Sequence, residues 1–103
     1  KGIVHITGGG FYENIPRIVP DGLTAVIDTQ KIGTPEIFNL LAKWGNINIK
    51  EMYSTFNMGI GMVLIVSKDE VDQISKQLKG QEEDFVLLGE IKKGKEKVLL
   101  CHQ

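Results

Sequence analysis

Apolar and polar positions along this chain switch repeatedly between the period of a strand and the period of a helix. Ile3-Val4-His5-Ile6 and Leu23-Thr24-Ala25-Val26-Ile27 are short, largely β-branched runs that predict strands. Phe11 to Ile15 predicts one helical turn, closed by Pro16 because the residue before proline avoids the helical region. Pro16 and Pro20 then predict an irregular stretch. Ile37, Leu40, Leu41 and Trp44 recur at the spacing of one helix face, which places all four, Trp44 included, in the core. Thr34 at the N-cap, Pro35 at the first position and Glu36 in the first turn are start signals for that helix, and Gly45 is its stop. Asn48-Ile49-Lys50-Glu51 reads as a capping box that opens a second helix from Ile49 to about Phe56. The unbroken run Met62-Val63-Leu64-Ile65-Val66 is expected of a strand buried on both faces. Ser67-Lys68-Asp69-Glu70 reads as a further capping box, with Val71, Ile74 and Leu78 inward and Gly80 at the end. Its outer face carries Lys68, Asp69, Glu70, Asp72, Lys76 and Lys79, a solvated surface. After an acidic loop at Gln81 to Asp84, Phe85 to Ile91 and Lys97 to Cys101 predict two strands joined as a hairpin through Lys92 to Glu96.

This succession defines an α+β class: a layered α/β sandwich in which helices cover one or both faces of a mixed sheet. With no internal repeat, low-complexity tract or long linker, residues 1–103 read as a single unit.

Composition narrows the partners. The net charge of −1 gives no basis for binding nucleic acid or an anionic membrane. The lysines of the 92–95 segment are expected to protect a sheet edge rather than grip phosphates. No apolar stretch approaches the ~18–20 residues of a membrane-spanning helix. The one cysteine, Cys101, has no internal partner, which fits a reducing, cytoplasmic setting. A chain of 103 residues is near the lower end for a self-sufficient core, and its start at Lys1 fits a piece of something longer. A piece of a longer chain would lack sheet elements supplied by the rest, and the edge and apolar face then exposed favour dimerisation, as a homodimer, or swapping.

The candidate chemistry sits between Thr7 and Arg17. Three successive glycines, Gly8-Gly9-Gly10, suit a backbone that turns sharply or lets a ligand come close. Successive amides in such a turn form a concave nest for an anion, and an arginine fork binds the same anion bidentately. Thr7, Gly8, Gly9, Gly10, Asn14 and Arg17 are therefore a candidate substrate- or phosphate-binding set. A plain tight turn is the alternative, since the run lacks both P-loop and dinucleotide-fingerprint spacing. His5 is the candidate acid–base group, with a hydrogen-bonded structural histidine as the alternative. Glu13 is a weaker candidate, because a carboxylate would repel an anion. Asn57, Gly59 and Gly61 suggest a bulge or close backbone packing that shapes this site. Asp28 is an isolated carboxylate, so no metal site is assigned.

The string His5-Ile6-Thr7-Gly8-Gly9-Gly10-Phe11-Tyr12-Glu13-Asn14-Ile15-Pro16-Arg17 resembles the signature of the phosphoribosylformylglycinamidine cyclo-ligases, or aminoimidazole ribonucleotide synthetases. Glu51-Met52-Tyr53-Ser54-Thr55-Phe56-Asn57-Met58-Gly59-Ile60-Gly61-Met62 resembles a second motif of that family, in the same order and spacing. The resemblance covers nearly all of this chain and only the later part of the family's C-terminal domain. It implies an ATP- and Mg²⁺-dependent ligase that converts formylglycinamidine ribonucleotide into 5-aminoimidazole ribonucleotide in purine biosynthesis. It further implies that the ATP and metal carboxylates lie largely on an N-terminal domain and at a dimer interface. This chain alone would then be inert and would supply the substrate or phosphate side of the site. Rival readings are formylglycinamidine ribonucleotide synthase, selenophosphate synthetase, thiamine-monophosphate kinase or a hydrogenase maturation protein of the same superfamily, or a non-catalytic anion-binding module.

Overall fold

The computed structural model describes residues 2–101. It is an α+β arrangement of two small sheets and four α-helices. The first strand, β1 (Gly2–His5), leads through the glycine turn into the short helix α1 (Gly10–Asn14). The 3₁₀ turn Ile15–Ile18 continues directly from it. The stretch expected to be irregular at Pro16 is therefore helical, because proline near the start of a turn lacks only an amide that has no partner there. Next come β2 (Leu23–Asp28), α2 (Glu36–Gly45), α3 (Ile49–Thr55), β3 (Met62–Ile65), α4 (Val71–Gly80), β4 (Gly89–Lys93) and β5 (Val98–Cys101).

β1 and β3 form an antiparallel pair, with Val4 opposite Val63 and His5 opposite Met62. The second sheet has the order β4-β2-β5, antiparallel on one side and parallel on the other. The expected hairpin is therefore absent: β2 lies between the two strands that were to pair. Their connection passes over the start of β2, where Gly94 N–H donates to Gly22 O at 3.1 Å and the Thr24 hydroxyl donates to Glu96 O. The ladder with β2 also shortens the strand expected over Phe85 to Ile91. β2 turns into a 3₁₀ helix at Thr29, so pairing stops at Ile27 opposite Gly89. One further bond, from Asp28 N–H to Leu88 O, carries it a step on. Phe85, Val86 and Leu87 have no ladder and are exposed.

The core gathers where α1, α3 and the two sheets meet, around Ile6, Phe11, Ile15 and Met52. Phe11 meets Tyr53 edge-on, with ring centroids 5.3 Å apart. Outside that centre the apolar pattern and the burial diverge. In β3, Met62 and Leu64 are exposed while Val63 and Ile65 are half-buried, since a two-stranded ribbon has the core on one face only. In α2, Phe38 and Ala42 pack towards the core, with Phe38 5.6 Å from the Phe56 ring. Ile37 and Trp44 point out instead, Trp44 with 74% of its surface exposed. This helix carries two apolar stripes a residue apart, and the smaller one faces inward. Its cap also differs. Pro35 takes the cap position, no side chain caps the helix start, and Asn46 rather than Gly45 adopts the left-handed end at φ 52°.

The two capping boxes part company. Asn48 accepts from Glu51 N–H at 2.9 Å as expected. Ser67 makes no cap to the backbone and donates to the Glu70 carboxylate at 2.6 Å, ahead of a 3₁₀ turn, Lys68–Glu70, that precedes α4.

Candidate functional site

The glycine turn is built by one backbone bond and one buried side chain. Gly10 N–H donates to Thr7 O at 3.0 Å, closing a four-residue turn with Gly8 and Gly9 at its centre. Gly9 has φ 98° and ψ −17°, the left-handed third position of a type II turn. That bond uses the Gly10 amide and leaves the Gly8 and Gly9 amides outside it. Gly8 is exposed, and a Cβ added there would meet nothing. Gly10 is the opposite case. It has φ 62°, and a Cβ would land on the carbonyl oxygens of Tyr53 and Phe56, so only glycine lets α1 sit this close to α3.

Asn14, at the end of α1, is fully buried. Its amide nitrogen donates to Gly10 O at 2.8 Å and Thr7 O at 3.2 Å, and its oxygen accepts from the Thr7 hydroxyl at 3.1 Å. All three partners belong to the turn. Arg17 lies one helical turn beyond Glu13, and the two pair at 3.3 Å with both side chains about 60% exposed. The Glu13 carboxylate also lies against Gly9, where an added Cβ would strike it. An anion reaching Gly8, Gly9 and Arg17 must therefore displace Glu13.

The remaining positions lie around this turn. His5 is exposed on β1 beside Met62 of β3. The Asn57 side chain accepts from Gly59 N–H at 2.9 Å, which fixes a tight loop. Gly59, at φ 96°, packs on Pro35. Gly61 O accepts from Ile6 N–H at 2.8 Å and extends the β1–β3 pairing to the edge of the glycine turn. The second motif thus supports the first through backbone contact. Asp28 accepts from Gln30 N–H and caps its own 3₁₀ turn.

Sequence reasoning passed over three contributors on neighbouring elements. Tyr53 is buried under the turn, and its phenol is raised above the ordinary value by burial, with hydrogen bonds from Thr34 and Thr29 opposing. Tyr12 is raised by burial and then by the charge of Glu96. The Lys50 ammonium lies 5.7 Å from the centre of the Tyr12 ring. The only signal for them was their place in α3 or beside the glycines. A cleft of about 630 Å³ lies between β2, β3, α4 and residues 83–91, with Gly59 and Gly61 of the second motif among its lining residues. Its walls are mostly apolar (Val63, Ile65, Ile74, Leu78 and Leu88 among them), with Ser75, Gln81, Glu83, Asp84 and Glu90 as its polar lining.

A mixed three-stranded sheet, an antiparallel pair and a glycine turn locked by a buried asparagine define the class of domain. The family model for the C-terminal domain of AIR synthase related proteins matches residues 1–102, and the chain belongs to that family. Among its relatives, a phosphoribosylformylglycinamidine cyclo-ligase of Caldicellulosiruptor bescii is 50% identical over 97% of this chain. The proteins of that name from Lachnospira eligens and Staphylococcus saprophyticus are 50% and 49% identical over 98% and 95% of it. The chain spans 29%, 30% and 29% of the lengths of those three relatives.

Proposed function

We propose that this chain is the C-terminal portion of an ATP-dependent cyclo-ligase that closes formylglycinamidine ribonucleotide to 5-aminoimidazole ribonucleotide in purine biosynthesis. Its part is to hold an anionic portion of the substrate, most simply a phosphate, on the Thr7–Gly10 turn. The observation that carries this reading is the turn itself: the Gly8 and Gly9 amides lie outside the closing bond, and an exposed arginine, Arg17, follows seven residues after Gly10. In this reading Thr7 adds a hydroxyl at the rim, and His5, exposed on the adjacent strand, would serve proton transfer.

ATP and Mg²⁺ belong to the reaction of the whole enzyme. Among the described residues no three His, Cys, Asp or Glu side chains come together to hold a cation, so the residues here do not fit a Mg²⁺ site. Residues elsewhere in the protein would supply it, and this segment alone is inactive. No helix among the described residues is long and apolar enough to cross a membrane, and the proposal places the enzyme in the cytoplasm. Exposed Ile3, Met62 and Leu64 on the β1–β3 face support contact with the rest of the protein or with a second copy in a homodimer.

Arg17→Ala in the intact enzyme tests the site. The expected result is a rise in KM for the ribonucleotide of roughly tenfold or more, with melting unchanged because the Glu13 pair is exposed. Unchanged kinetics would remove Arg17 from the binding set.

A further inference from the structure

We infer that Asn14 is a positioning residue, which sets the shape of the glycine turn and does not itself touch the substrate. The inference rests on the proposal that this turn binds an anion, and it deepens that proposal by dividing the residues from Thr7 to Arg17 into contacts and supports. Three observations carry it. Asn14 has no exposed surface. Each of its amide hydrogens has an acceptor inside the turn, Gly10 O and Thr7 O, and its oxygen has a donor there, the Thr7 hydroxyl. A carboxamide offers two donors and one doubly accepting oxygen, so one acceptor position at most is left for anything else.

The bonding also fixes which way the amide faces. Two carbonyls demand the nitrogen on one side, and the hydroxyl can then give its proton to the oxygen. Thr7 O accepts twice, from Gly10 N–H and from Asn14, so the side chain reinforces the bond that closes the turn. Without it, Thr7 O and Gly10 O keep fewer partners and the turn can open. Ligand amides held in a preformed concavity bind without an ordering cost, so loss of the clamp weakens binding although no ligand contact is removed.

Asn14→Asp in the intact protein separates this role from simple packing. It is nearly isosteric, yet an ionised carboxylate would face two carbonyl oxygens with no hydrogen to offer. Protonation returns one donor. The ionisable groups around the turn, His5, Glu13 and Arg17 beside it and Tyr12, Lys50 and Tyr53 on or against α1, are common to both proteins, so each profile is divided by that of the unaltered protein. The expected result is a KM for the ribonucleotide raised by roughly tenfold at pH 8, falling towards the unaltered value as pH drops to about 6, with kcat changed less. Amide exchange of the 7–14 segment should quicken and recover over the same range, independently of activity.

Thr7→Val, a milder change at an exposed position, removes the hydroxyl, and with it the bond to Asn14 and the longer 3.4 Å approach to Gly8 O. It should speed exchange in that segment by roughly fivefold, the worth of one ordinary hydrogen bond. Should Asn14→Asp fail to fold, this second variant decides the matter by exchange alone. Exchange unchanged in both variants would overturn the positioning role. So would an Asn14→Asp loss of binding that is flat with pH. Failure of the underlying site reading looks different: Arg17→Ala leaves KM untouched while exchange in the Asn14 and Thr7 variants still responds.

Discussion

At the scale of single residues, the constraint on this domain is how closely α1 approaches α3. Gly10 sits under two carbonyl oxygens, those of Tyr53 and Phe56, in a left-handed conformation. Gly10→Ala is expected to cost roughly 2–4 kcal/mol, because strain at φ and overpacking against backbone act together. Denaturant unfolding would measure it, and a loss under about 0.5 kcal/mol would mean that the helices separate easily. Tyr53 makes a second prediction at this scale. Its phenol is raised above the ordinary 10.0 chiefly by burial, so the folded form holds its proton more tightly than the unfolded form. That contribution is complete below pH 10 and is lost as pH rises through the folded value. Tyr53→Phe should therefore flatten the fall in melting temperature above about pH 10. An alkaline limb identical to that of the unaltered protein would place the phenol in contact with water.

Among secondary-structure elements, local signals were readable where the backbone itself was the partner. The Asn48 box opened α3 as its spacing required, and α3 ends one residue short of expectation. The Ser67 box failed because its hydroxyl and carboxylate bonded to each other and not to amides. Asn48→Ala should therefore cost about 1 kcal/mol, and Ser67→Ala only a few tenths, in paired unfolding experiments. Equal costs would show that the side-chain bond steadies α4 as well as a cap does. The misreadings of α2 and of the supposed hairpin have a different origin. A helix with two apolar stripes offers two rotations, and tertiary packing chose Phe38 and Ala42 over Trp44. Strand pairing is likewise non-local: nothing in Lys92 to Glu96 reveals that β2 lies between its flanking strands. At the glycine site, residue types announced a turn. They could not show that Asn14 faces inward and Arg17 outward, since that depends on how α1 meets β1 and α3.

For the molecule as a whole, a substantial apolar surface stays in contact with water. Ile3, Met62 and Leu64 expose one face of the β1–β3 pair, and Ile37 and Trp44 expose the outside of α2. Trp44 is the single tryptophan, which makes it a reporter of that helix. The emission of this 103-residue chain at low concentration should be water-like and readily quenched by acrylamide. A blue-shifted, protected emission would mean that the outer stripe is covered by another copy. The same measurement on the longer protein then tells whether α2 is where the remainder of the chain rests.

The placement of β2 has a consequence for how the chain reaches its native state. Its neighbours, β4 and β5, are made only after nearly all the intervening sequence, so the central strand of that sheet emerges from synthesis with neither partner available. Closing such distant pairs is slow, and an apolar strand waiting in the open is prone to wrong associations. β1 waits less, since β3 arrives mid-chain and the glycine turn and α1 are local. The glycine turn would then be shaped early, and the sheet beside it would be completed later by Val98 to Cys101. Trimming those final residues would leave β2 open along one side, and the damage would appear as failed maturation rather than as altered chemistry.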